Sequence, residues 1–226
     1  MFKSRLVKTG GEIHLRLKDL EIALQSIERL TERDVTLESY PTPASIAASV
    51  LFAAQMEHGD ITGKTIFDLG CGDGVFAIGA AMLGARHVVG IDIQTKALKV
   101  SQKNSILLGT EGTTDWVLGD VTSIEVAGPI DTVVSNPPFG VQKKGADLKF
   151  LGTAIHIAAV TYSMHLAIEK NRVFLKGAIE KLGGEVTQVE TFQFPIPRIY
   201  NFHKKEMHLI AVDLYRIRRK ERDQNG

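Results

Sequence analysis

The chain has 226 residues, 44% of them hydrophobic and 23% charged, with a formal net charge of +1. That length holds one domain with a substantial core, and the composition is that of a soluble globular protein. The near-neutral balance excludes a globally basic nucleic-acid binder, the single cysteine excludes an internal disulfide or multi-cysteine zinc site, and no apolar run is long enough to span a membrane.

Residues 1–12 lack apolar periodicity and contain Gly10-Gly11, so they are expected to be loose or to pair at an edge. No charged-then-apolar signal segment is seen there, and a cytoplasmic enzyme is the expectation. Between Leu15 and Leu30 the apolar residues Leu17, Leu20, Leu24, Ile27 and Leu30 fall three and four apart, which predicts an amphipathic helix. Leu37–Pro43 is a stiff turn, after which Thr42 can cap a helix with Pro43 at its first position, running to about Glu57. After Gly63 short apolar runs alternate with helical stretches. Strands are predicted at 64–69, 87–92, 114–118, 131–135 and about 158–165, with helices at about 75–83, 94–107, 147–157 and 169–182. This is the pattern of a parallel sheet with helices on both faces. Glu185–Phe194 and Glu206–Ile217 alternate like strands with no helix between them, so they must run antiparallel to each other. The expected organisation is one domain: a helical extension over 1–58, a core over 59–217 and a basic tail over 218–226.

Four loops at predicted strand ends carry the chemistry. The first, Asp68-Leu69-Gly70-Cys71-Gly72-Asp73-Gly74-Val75, is a strand end, a glycine turn and a helix start. Its spacing is G-x-G-x-G rather than the G-x-G-x-x-G that seats a pyrophosphate. Asp68 and Asp73 flank the turn; they would repel a pyrophosphate but suit a ligand with an ammonium and a sulfonium, which favours S-adenosylmethionine (SAM) over a dinucleotide. Asp92, at the tip of the next strand, is placed to accept two ribose hydroxyls. Asp120 could take an adenine amino group and the Val121 amide a ring nitrogen. Plainer roles stand beside these: Asp68 as a turn cap, Asp92 as a helix N-cap, and Cys71 as a small turn residue rather than a nucleophile.

The fourth loop is Asn136-Pro137-Pro138-Phe139-Gly140. Two prolines stiffen it and leave carbonyls free to accept. The Asn136 oxygen and the Pro137 carbonyl could receive both hydrogens of one amino group, with Phe139 as a stacking face. That combination points to modification of an exocyclic or amide nitrogen. A plain structural turn is the alternative. Further on, the loop Pro195–Lys205 interleaves Arg198, Lys204 and Lys205 with Tyr200, Phe202 and His203, and Lys143 and Lys144 follow Gly140. Basic residues among aromatics suit an RNA backbone and unstacked bases. The competing reading is a solvated loop with one buried aromatic.

With these motifs in place the chain resembles the amino-methyltransferases that carry an (Asn/Asp/Ser)-Pro-Pro-(Tyr/Phe/Trp) motif after the fourth core strand. More narrowly, it is similar to the archaeal and eukaryotic small-subunit ribosomal RNA adenine-N6 methyltransferases. The resemblance covers about residues 15–217 and rests on Leu37–Thr42, Asp68–Val75, Ala81–Ala85, Asn136–Gly140 and Tyr200-Asn201-Phe202-His203-Lys204-Lys205. It implies a seven-stranded, Rossmann-like class I SAM-dependent methyltransferase fold: five parallel strands plus a terminal antiparallel pair. It implies cofactor contacts from Ser39, Thr42, Gly70, Asp73, Val75, Asp92, Asp120 and Val121, beside Asp68 and Cys71 of the same turn; related sequences carry Gln where this one has Ser39. It also implies a partner, a small zinc-containing methyltransferase activator that covers an apolar surface and pairs with a sheet edge. Guanine-N2, DNA adenine or protein glutamine-N5 methylation, and a non-catalytic SAM-binding role in ribosome assembly, are the competing functions.

Overall fold

The computed structural model describes residues 8–9, 12–13, 15–30, 40–128, 130–139, 145–197 and 207–220. Strands β1 (Lys8–Thr9) and β2 (Glu12–Ile13) pair antiparallel with each other, apart from the main sheet. Helix α1 spans only Leu17–Gln25. The predicted helix to Leu30 stops early, at Ser26, whose N–H and hydroxyl both turn back onto the Ala23 carbonyl, at 3.1 and 2.7 Å. Beyond it, residues 28–30 form a strap rather than a helical turn. Helix α2 covers Ala44–His58 with Pro43 at the N-cap. Thr42 is therefore not the cap; its hydroxyl is used elsewhere, as described below.

From there the chain alternates: β3 (Thr65–Leu69), α3 (Val75–Met82), β4 (His87–Asp92), α4 (Thr95–Leu108), β5 (Thr114–Leu118), a short 3-10 turn at Val121–Ser123, β6 (Ile130–Ser135), α5 (Ala146–Ile157), β7 (Ala158–Leu166) and α6 (Glu169–Lys181). Two long strands close it, β8 (Gly184–Pro197) and β9 (Met207–Arg219). Sheet order is β5-β4-β3-β6-β7-β9-β8. β3 to β7 pair in parallel, while β9 runs antiparallel to both β7 and β8. The predicted terminal pair is therefore present, and the last strand in the chain, β9, lies between β7 and β8. β8 consequently points the same way as β3 to β7.

Because strand side chains alternate, each buried strand serves two cores. Ile66, Val134, Tyr162, Met164, Val212 and Leu214 face one side, where Leu20 and Leu24 of α1, Leu51 of α2 and Ile78 of α3 cover them. Leu69 and Val133 face the other, against Ala154 and Ile157 of α5. Tyr215 and Ile217 meet Leu175 and Ile179 of α6 there. The N-terminal helices thus share the core of the sheet. No helix among the described residues is long and apolar enough to cross a membrane.

Candidate active site

Parallel strands that end together leave a crevice at their carboxyl ends, where ligands of open α/β sheets bind. Here a cleft of about 320 Å³ lies at that end, lined by the turn after β3, the tip of β4, the loop after β5 and the turn after β6. The four sequence motifs therefore meet in one place. Gly70, Gly72 and Gly74 all adopt positive φ (74°, 55° and 81°), which explains the G-x-G-x-G spacing: every second residue must turn left-handed. A ring seals the turn from behind. A Cβ on Gly74 would stand 2.8 Å from Trp116 Cη2, and one on Gly90 would stand 2.5 Å from Trp116 Cε3 and 3.1 Å from Cys71 Sγ.

Three acids crowd the cleft. Asp68 is 1% exposed; one carboxylate oxygen accepts the Ala77 N–H at 3.0 Å, and the other has no partner. Burial pushes this carboxyl up to about 8, with repulsion from Asp92 and Asp73 adding to it. Asp73 is raised by burial to about 6, against the pull of the Arg29 cation. Arg29 Nε lies 3.1 Å from Asp73 Oδ2, but off the line of a hydrogen bond, so that oxygen keeps a charge partner and an open lone pair. Asp92 accepts the amides of Gly72 and Gln94, at 2.9 Å each, and is raised by burial. It is not the cap of α4, a position held by Gln94. Asp120 caps the 3-10 turn through Thr122 N–H at 2.8 Å. Burial also lifts the Cys71 thiol well above its ordinary range, which makes it a poor nucleophile. Among the described residues no group of three or more His, Cys, Asp or Glu could hold a metal ion.

Asn136 follows β6 directly. Its Nδ2 donates to the Tyr40 carbonyl and to Thr42 Oγ1, at 3.1 Å each. A carbonyl can only accept, so the amide nitrogen must face Tyr40 and the amide oxygen must face away. That oxygen, Asn136 Oδ1, is buried and has no hydrogen-bond partner. Phe139 does not line the cleft; its ring stacks on Tyr40 at 6.0 Å between centroids and meets Phe194 edge-on at 6.2 Å. Tyr40, from the Leu37–Thr42 segment, does line it, with Leu30, Lys149 and Phe150, which carry no local signal of a site in the sequence. Ser39, Lys143, Lys144 and Phe202 to Lys205 lie outside the described residues.

Residues 46–171 match the family model described as methyltransferase small domain. The chain belongs to this family. It is 38% identical over 207 residues to the rRNA N(6)-adenosine-methyltransferase METTL5 of Danio rerio, covering 90% of this chain and 99% of that one. The Drosophila melanogaster protein of the same description is 33% identical, with 90% and 96% covered. The crystal structure of a candidate RNA methyltransferase, PH1948 of Pyrococcus horikoshii, superposes with a TM-score of 0.84 at 37% identity, covering 92% of this chain and 99% of that one.

This methyltransferase depends on SAM, and the cleft fits such a ligand. Oxygens of Asp68 and Asp73 that accept no hydrogen bond suit its cationic end, and the turn of glycines admits it closely. The acids also make stability depend on pH. A carboxyl whose pKa is higher folded than unfolded, about 3.9, binds protons preferentially in the folded state. Its stabilising contribution is complete below the unfolded value and is lost as pH rises through about 6 for Asp73 and about 8 for Asp68. Melting temperature without ligand should therefore fall between about pH 5 and pH 9, and Asp68→Asn should flatten the upper part of that fall. A melting temperature that climbs across the interval would contradict these assignments.

Proposed function

We propose that this methyltransferase methylates the N6 amino group of an adenine in RNA, most specifically in small-subunit ribosomal RNA. The observation that carries this is the Asn136 amide, held so that its one open atom is an acceptor. An acceptor at that point suits a substrate amino group and repels a ring nitrogen or carbonyl. The relatives described as rRNA N(6)-adenosine methyltransferases support adenine as the bearer.

When bound, SAM supplies an electrophilic methyl group on a positively charged sulfur. Asp73 and Asp68 would hold its cationic end, Asp92 its ribose and Asp120 with the Val121 amide its adenine; Thr42, Gly70, Cys71 and Val75 complete the wall. Asn136 Oδ1 and the Pro137 carbonyl each take one N–H of the target amine. The nitrogen lone pair, otherwise spread into the ring, is thereby aimed at the methyl carbon. SAM held there would supply the methyl group and leave as a neutral thioether, in exchange for one amine proton that would pass to solvent. Positioning and acceptors set for the developing charge account for the rate, and no strong base is needed. Tyr40, backed by the Phe139 ring, offers the aromatic surface for an unstacked base, which must be unpaired to enter.

Pro197 of β8 and Met207 of β9 pair at the strand ends that carry the cleft; Phe202, His203, Lys204 and Lys205 fall between them in sequence. Those residues, with Lys143 and Lys144, are the proposed RNA contacts. The proposed activator partner would pair with a sheet edge; β5 offers one, with Val117 and Leu118 exposed.

The test is labelled SAM incubated with separated ribosomal subunits, with and without the activator, followed by mass spectrometry of nucleosides and peptides. Label in N6-methyladenosine of the small subunit is expected. Label in N2-methylguanosine, in N5-methylglutamine or nowhere would overturn the proposal, and equal rates with and without the activator would remove that partner.

A further inference from the structure

Asn136 owes its orientation to a segment that the cofactor turn holds in place. Residues 28–30 are strapped to the body by Asn104 of α4, which is 1% exposed. Its Oδ1 accepts Glu28 N–H at 2.8 Å, and its Nδ2 lies 2.9 Å from both the Glu28 and the Asp73 carbonyls. The next residue, Arg29, reaches in two directions. Its Nε sits 3.1 Å from the Asp73 carboxylate, and a terminal nitrogen donates to the Thr42 carbonyl at 2.5 Å. Thr42 is 4% exposed, and its hydroxyl accepts from Asn136 Nδ2. A path of direct contacts therefore runs from Asp73 through Arg29 and Thr42 to the amide whose oxygen faces the substrate.

We propose that Arg29 is a positioning residue that fixes Thr42, and through it the Asn136 amide, from an anchor on the cofactor acid Asp73. This rests on the role of Asn136 given above. The guanidinium is suited to it, since its charge rests on Asp73 while a terminal N–H of its rigid plane donates to the Thr42 carbonyl; a lysine ammonium at the same place neutralises Asp73 but cannot also hold that carbonyl in a defined direction. With Thr42 loosened, the amide loses one of its two acceptors and can turn its NH2 towards the substrate, where it opposes an amino group. The anchor on Asp73 also means that a ligand drawing on that carboxylate bears on the same guanidinium that sets the amide.

The experiment uses the full chain with Thr42→Val, Thr42→Ser, Arg29→Lys and Asn136→Ala, measuring SAM affinity by calorimetry, melting temperature, and the single-turnover rate at saturating SAM and RNA. Thr42→Val should lower that rate, read at saturating SAM, by about 10–100-fold, the scale of a misplacement near 1 Å. Thr42→Ser, which retains the hydroxyl, should restore it. Arg29→Lys should separate the two readouts, with SAM affinity close to that of the parent and a slowed rate. If Asn136→Ala is inactive while Thr42→Val and Arg29→Lys transfer at the parent rate, Arg29 does not position the amide. If Asn136→Ala itself transfers at full rate, the role of Asn136 fails and the link from Arg29 falls with it. Equal losses of rate and melting temperature in Thr42→Ser and Thr42→Val would mark a structural role only and would also overturn the proposal.

Discussion

Asn136→Ala should slow methyl transfer by about 10²–10³-fold and leave SAM bound with near-normal affinity. The scale is that of removing one preorganised polar partner from a reacting centre. The alanine takes away the buried Oδ1 acceptor and also the two donors that tie the turn to Tyr40 and Thr42. Cofactor affinity should survive, because Asp68, Asp73 and Asp92 are held by other groups: Ala77 N–H, Arg29, and the Gly72 and Gln94 amides. Calorimetry with SAM and single-turnover transfer to RNA measure the two sides separately. Full-rate transfer by the variant would remove Asn136 from the reaction. Aspartate is a poor substitute here, since an ionised carboxylate would face the Tyr40 carbonyl with no hydrogen to give it.

The largest loss of stability is expected at the other end of the sheet. Asp60, just before β3, accepts the Tyr162 hydroxyl at 2.6 Å and Arg216 Nε at 2.9 Å on the same oxygen. The side chains of Arg216 and Asp60 are 14% and 11% exposed. Arg216 also donates to Thr187 of β8 at 2.8 Å, so one cation joins β7, β8, β9 and the entry to β3. Arg216→Met keeps most of the volume but strands the Asp60 charge, at a cost of about 3 kcal/mol. For a domain of this size that lowers the melting temperature by about 6–12 °C. Transfer rate at low temperature should not change, since the cleft lies at the opposite strand ends. A melting temperature within a degree or two of the parent would show that water already satisfies Asp60.

Much of the fold was legible because its signals are local. β-branched runs such as Val88-Val89 and Val133-Val134 sit in buried strands, and the predicted limits of β3 to β7 agree with the structure to within a residue or so. The missing helix between β8 and β9 correctly required an antiparallel pair. Misses arose where a distant partner decides. Ile27 and Leu30 continue the spacing of α1, yet Asn104, 76 residues further on, claims the Glu28 backbone and holds the strap out of the helix. Thr42 looks like a cap because of its place before Pro43, but Asn136, 94 residues away, uses its hydroxyl. Within the site the four loops were found because each ends a strand. Arg29 was missed because a lone arginine at the end of an amphipathic stretch resembles any solvated charge.

The packing behind the glycine turn has one more consequence. Trp116 is the only tryptophan in the chain, and its indole lies against Gly74 and Gly90, directly under the glycine turn. The protein thus carries a built-in fluorophore at its proposed cofactor site and no second tryptophan to blur it. Its emission wavelength and intensity follow the polarity and mobility at that turn, so occupancy can be followed optically in the unlabelled, unmodified molecule.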